Sequence, residues 1–210
     1  TADCVRFFNG PLQTLGVPYL KKVAGWGSVA AERTIRRHLG VCFDTCHLAV
    51  QFEDLGDSLR TLHREGIRIS KVQLSAALRA AGSNGRAQLK AFCDPVYLHQ
   101  VKESRSSSED GRHGFPDLPE ALAEARAGKG GDTEWRIHFH VPLYFEGGDG
   151  LGSTNEFLDQ RFFGLVREVG ATHLEIETYT FAVLPPPLRA LPVAESIARE
   201  YEWVRARAMR

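Results

Sequence analysis

An α/β fold, a TIM (β/α)8 barrel present in part, is what the sequence predicts, and three observations carry that expectation. Three segments read as buried parallel strands, and each has a helix after it. Within each strand, polar and apolar residues alternate, and the polar side gathers toward the C-terminal end. The chain starts at Thr1 and enters a helix-like stretch, residues 4–12, without a strand before it. A barrel cut short on its N-terminal side is the simplest expectation.

In chain order, residues 39–44 (LGVCFD) form the first expected strand. Residues 54–65 follow as an amphipathic helix, with Leu55, Leu59 and Leu62 on one stripe and Gly66 as its stop. The second strand is 67–75 and the third is 173–178, after a helix over 154–169 that ends at Gly170. The run Pro185, Pro186, Pro187 excludes a helix there, and a last helix spans 193–207. One domain is expected over 1–210, with an insertion at 79–134. Its Ser-rich, charged stretch near 103–114 is expected to be mobile, and Pro119 suits the first turn of a short helix starting at Asp117. Residues 96–101 and 135–141 flank that region and predict an inserted antiparallel β-hairpin.

The alternation argues for a barrel over an open doubly wound sheet. Val41 and Phe43 oppose Cys42 and Asp44; Val72 and Leu74 oppose Lys71, Gln73 and Ser75; Leu174 and Ile176 oppose Glu175 and Glu177. A doubly wound sheet needs both faces apolar, because helices cover both. A barrel collects polar groups at the C-terminal rim of its lumen.

Composition excludes several classes. With 26 basic and 26 acidic residues the formal net charge is zero, so no nucleic acid partner is expected. No apolar run approaches the ~20 residues of a spanning helix, so no membrane span is expected. Four cysteines in 210 residues are too few for a disulfide framework and read as reduced thiols of a cytoplasmic protein. Neither a phosphate-binding P-loop nor a GxSxG nucleophile elbow is present.

The candidate chemistry sits at strand ends. Asp44 ends the first strand and His47 follows three residues later, either as a carboxylate and an imidazole for a cation or as a helix cap with a loop histidine. Glu177 faces inward at the end of the third strand, where a buried carboxylate needs a metal or a cationic partner such as Lys71. His138 and His140 share one side of a strand with Arg136, as ligands aimed at one ion or as a polar surface stripe. His99, on the partner strand, is a further candidate for that cluster.

Together these stretches resemble a known family. Residues 41–47 (VCFDTCH) look like the Asp-x-x-His signature of endonuclease IV and the sugar isomerases of the xylose isomerase-like superfamily, and 174–180 (LEIETYT) resemble its last-strand Glu motif. More specifically, 39–54, 71–78, 97–101, 117–122, 135–142 (with HFHVP) and 173–185 (with HLEIETYT) resemble the EboE-type metabolite traffic proteins. The resemblance implies that the chain supplies strands six to eight of the barrel, with the N-terminal half of the same barrel as its missing partner. It implies metal-ligand positions at Asp44, His47, Gln73 and Glu177, with Glu177 also catalytic, and at His138 and His140. Lys71, His99 and Arg136 are expected to meet substrate. Gln73 stands where the superfamily has His, which favours an oxygen-loving Mn2+ or Mg2+ over Zn2+. The implied function is a metal-dependent sugar isomerase or epimerase. Its partner would be a sugar-like metabolite; the rivals are a non-catalytic carrier of a hydrophobic or prenyl-type metabolite, or an endonuclease IV-like phosphoester hydrolase.

Overall fold

In the computed structural model, which describes residues 1–104, 112–126 and 133–209, the chain begins with three helices, α1 (Ala2–Asn9), α2 (Pro11–Ala24) and α3 (Ser28–His38). Strand β1 (Gly40–Asp44) runs into the short α4 (Thr45–Val50), and α5 (Leu55–Arg64) returns the chain to β2 (Arg68–Leu74). Ser75 and Ala76 then lead directly into β3 (Ala77–Ala81), followed by α6 (Gly82–Gln88) and a 3-10 turn, Leu89–Phe92. Next come β4 (Val101–Ser104), β5 (Arg112–Phe115), α7 (Leu118–Arg126), β6 (Glu134–His140), β7 (Leu151–Ser153), α8 (Gln160–Glu168), β8 (Leu174–Ile176) and α9 (Val193–Ala208). Most of the stretch expected to be mobile, 105–111, lies outside the described residues.

Local chemistry explains the helix ends. Asp54 accepts the Asp57 amide at 2.7 Å and starts α5, whose Leu55, Leu59 and Leu62 are all buried. Gly66, at φ +66°, takes the left-handed turn that ends this segment. The helix expected over 154–169 is divided. A 3-10 turn covers Thr154–Phe157, and Asp159 accepts the Phe162 amide at 2.8 Å to start α8 afresh. The proline run was expected to exclude a helix, yet Pro186–Arg189 forms a 3-10 turn. Prolines at its first positions need no amide donor, so nothing is lost there.

Two sheets result. The first is parallel, in the order β1-β2-β8, with Asp44 beside Gln73 and Gln73 beside Glu175. Phe43, Val72 and Leu74 are buried on its apolar side, where the Phe43 and Phe162 rings lie 6.5 Å apart. The second is antiparallel, in the order β5-β4-β6-β3-β7. Trp135, Ile137 and Phe139 of β6 are buried with Leu78, Val101, Phe115 and Leu118 in the same hydrophobic core as the first sheet's residues. Among the described residues, no helix is long and apolar enough to cross a membrane.

This architecture overturns the expected fold class. The chain is α/β, but its strands do not close into a barrel, and a five-stranded antiparallel sheet is no portion of a TIM barrel, whose strands are all parallel. The three strands expected to be parallel are so. The error came from the polar side of those strands, which was read as a lumen. In fact, β2 turns through Ser75 and Ala76 into β3, and β3 pairs antiparallel with β6 and β7. Segment 135–141 does pair antiparallel near residue 101, with Val101 opposite Ile137, but as the middle of a sheet and not as an appended hairpin. With no barrel to complete, the expected partnership with an N-terminal barrel half loses its basis.

Candidate metal centre

The junction between the two sheets assembles the site, and short polar side chains hold it. At the end of β1, Asp44 accepts from the His47 amide at 3.1 Å and from Ser75 Oγ at 2.8 Å. Thr45 Oγ1 donates to the Ser75 carbonyl at 2.7 Å, and the Cys46 amide donates to Ser75 Oγ at 3.1 Å. This network fixes α4 across the end of β2, so that α4 packs on β6. Cys46 and His47 are thereby brought over His138 and His140.

The imidazoles converge. His47 Nε2 lies 3.0 Å from His138 Nε2, with the rings edge to face. The two nitrogens are hydrogen-bonded to each other; held by one tetrahedral zinc, at about 2.0–2.1 Å each, they would be roughly 3.3 Å apart, so a small separation would admit a shared ion. His140 is 1% exposed; its Nδ1–H donates to the Glu177 carbonyl at 3.0 Å, while its Nε2 is buried without a hydrogen-bond partner. A backbone acceptor on one ring nitrogen turns the other, as a lone pair, toward a ligand. Cys46, His138 and His140 each offer a ligand atom, all within 4.8 Å of one another.

The electrostatics favour neutral imidazoles, the ligand-ready form, and a protonated thiol, which must lose its proton to bind a metal. Burial, helped by His47 and His140 nearby, pulls His138 down to about 4. Burial likewise brings His140 to about 4. Burial, with Asp44 and Glu177 nearby, holds the Cys46 thiol well above the ordinary range. Glu177 is raised, first by burial and then by Asp44, against the opposing hydrogen bond from Gln73.

The structure sorts the expected residues into different places. His138 and His140 stand in the cluster, and His47 touches it through His138. Asp44 and Glu177 stand behind the imidazoles. The Asp44 carboxylate lies 3.4 Å from His47 Nδ1, and the Glu177 carboxylate lies 3.4 Å from His140 Nδ1. That is the place of groups that orient metal-bound histidines. Gln73 hydrogen-bonds the Glu177 side chain and accepts from Cys42 Sγ at 3.1 Å. Lys71 pairs with Glu175, not Glu177. Arg136 turns away from the imidazoles, donating to Glu134 and to the Ala49 carbonyl at 2.7 Å and lying over the Phe52 ring at 4.0 Å. His99 is buried on the other side of β6 against Phe139, pinned between the Asp94 carboxylate and the His138 carbonyl.

Sequence reasoning missed three contributors. Cys46 was read as a reduced, buried thiol, and a CxxxC zinc site with Cys42 was set aside because it needs a second ligand pair, although the place of Cys46 beside His47 was visible. Ser75 was placed on the polar side of its strand without a role. Tyr179, whose ring lies 4.6 Å from that of His140, stood inside the LEIETYT stretch but was given no role. Comparison with protein-family models, curated proteins and solved structures finds no match to the chain, so its chemistry is read from these side chains.

Proposed function

We propose that the chain is a metal-dependent enzyme of the isomerase or epimerase type, in which His47, His138 and His140 hold a divalent cation (Mn2+, Mg2+ or Zn2+) and Glu177 transfers the proton. One observation carries this reading. His138, hydrogen-bonded ring to ring with His47 at 3.0 Å, lies in one group of ligand atoms with His140, whose Nε2 is buried with no partner. A buried polar atom without a partner costs about 1–3 kcal/mol, and a cation removes that cost.

When bound, the ion would polarise a substrate oxygen as a Lewis acid. The remaining steps fall to the chain. Asp44 and the Glu177 backbone orient the imidazoles. Glu177, half-buried and with raised proton affinity, is suited to take a proton from a bound hydroxyl or from the carbon beside a carbonyl. Glu177 also borders a cavity of about 310 Å3, with Thr178, Tyr179, Phe181 and Glu200, that none of the imidazoles lines; the sugar-like substrate class rests on the resemblance. The free thiols support a cytoplasmic location, and the balanced charge argues against nucleic acid as substrate.

The test combines elemental analysis with proton exchange. The purified chain should retain one divalent ion, and a His138→Ala variant should lose it. Solvent deuterium should enter small aldoses or ketoses, followed by NMR, and Glu177→Gln should abolish that exchange while the ion stays bound. A wild-type chain that retains no ion under Mn2+ or Zn2+ dialysis would falsify the reading.

One observation favours a carrier instead. A largely apolar cavity of about 820 Å3, walled by Phe92, Phe145, Leu151, Pro185 and Leu188, contains none of the imidazoles. A carrier of a prenyl-type metabolite would bind its ligand there and show no exchange with any substrate.

A further inference from the structure

We propose that the Cys46 thiolate is itself a ligand of the ion, so that the centre is a sulfur–imidazole site selecting zinc-class cations over Mn2+ and Mg2+. This rests on the metal-centre reading above and deepens it.

The argument is one of placement. Cys46 is completely buried, and the backbone that carries it is held on both sides. Its own amide donates to Ser75 Oγ, Thr45 is hydrogen-bonded to the Ser75 backbone, and Asp44 accepts from the same Ser75 hydroxyl. The sulfur is therefore set in position by a hydrogen-bonded frame and not by apolar packing alone. It shares a space with one ligand atom each from His138 and His140, all within 4.8 Å.

The independent observation is His140 Nε2, buried and unpartnered on a ring that belongs to that group. Its orientation is set by the Glu177 carbonyl at the opposite ring nitrogen. A tetrahedral zinc with sulfur at about 2.3 Å and nitrogen at about 2.0–2.1 Å would separate those atoms by roughly 3.6 Å, a distance reachable by small side-chain rotations. Cys46, His138 and His140 take three positions; with His47 as the fourth ligand, a substrate oxygen would enter by five-coordination or by displacing His47.

The chemical consequence is selectivity. Thiolate and imidazole suit zinc and cobalt, whereas Mg2+ and Mn2+ prefer carboxylate, carbonyl and water. The oxygen-loving ion expected from Gln73 is thus disfavoured. Gln73 is engaged with Cys42 and Glu177 and contributes nothing to the cluster.

Cobalt spectroscopy on the full chain tests this. Co2+ loading should give the visible bands of a tetrahedral site together with a near-ultraviolet sulfur-to-cobalt charge-transfer band. That second band should persist in Cys42→Ser and vanish in Cys46→Ser, and Cys46→Ser should bind zinc at least about tenfold more weakly, given that loss of mere supporting partners already costs 10–100-fold. X-ray absorption of the zinc-loaded wild type needs no variant and should show a sulfur neighbour at about 2.3 Å. Visible cobalt bands with only nitrogen and oxygen neighbours would make Cys46 a core thiol beside Val50 and Ala77, overturning the ligand assignment and leaving the metal centre intact. A chain that shows no cobalt bands and retains no zinc overturns both.

Discussion

His138 and His140 illustrate how burial prepares a side chain for chemistry. Both have folded values near 4 against about 6.5 for an ordinary imidazole, so the unfolded chain takes up their protons first on acidification. Their stability contribution is full above about pH 6.5 and is lost as the pH falls toward about 4. The urea midpoint of the metal-free chain is therefore expected to drop between pH 7 and pH 5, and His138→Asn should flatten that drop. Asp44 has two tasks that substitution can separate. Asp44→Asn keeps an acceptor for the His47 amide but withdraws the charge beside His47 Nδ1, and should weaken metal affinity about 10–100-fold in a dialysis titration. Asp44→Ala also removes the helix cap, a further loss of about 1 kcal/mol in thermal or urea unfolding.

Among the elements, α9 locks the two segments that carry the site. Its Glu200, fully buried, accepts from the Leu143 amide at 3.0 Å just after β6 and from Thr178 Oγ1 at 2.6 Å just after β8. Burial raises its proton affinity above the usual 4.5. The stability it contributes is fully present below about pH 4.5 and declines as the pH rises through the folded value. Glu200→Gln keeps the acceptor without the charge, so it should raise the urea midpoint at pH 8 and change it little at pH 4.5. Helix α5 secures the other side of the parallel sheet. Leu59 is wholly buried there, and Leu59→Ala should cost about 2–5 kcal/mol in equilibrium unfolding.

At the scale of the whole molecule, order is unevenly distributed. Helix α2 has no buried residue and contains Pro18, whereas β3 and β6 carry Leu78, Trp135, Ile137 and Phe139 at the centre of the core. Amide hydrogen exchange should therefore be fast along α2 and slowest in β3 and β6. The imidazole cluster lies at the slow end. Its β6 histidines alternate with the core residues Ile137 and Phe139, so the imidazoles are held by a firmly packed strand. A comparable exchange rate in α2 and β6 would contradict this distribution.

What could be read from residue order was local. Alternation identified the three parallel strands, the leucine stripe and Asp54 identified α5, and His138 and His140 announced themselves by spacing. Alternation reports only that one side of a strand meets polar groups, and a barrel lumen and the open side of a small sheet leave the same pattern. Whether β2 would continue toward a closed ring or turn at Ser75 and Ala76 into an antiparallel sheet depended on pairing among β3, β6 and β7, residues more than fifty positions apart. The same long-range pairing separated His99 and Arg136 from the imidazoles and set Cys46 beside them. Nearest-neighbour chemistry writes the elements; contacts distant in sequence choose which side chains meet.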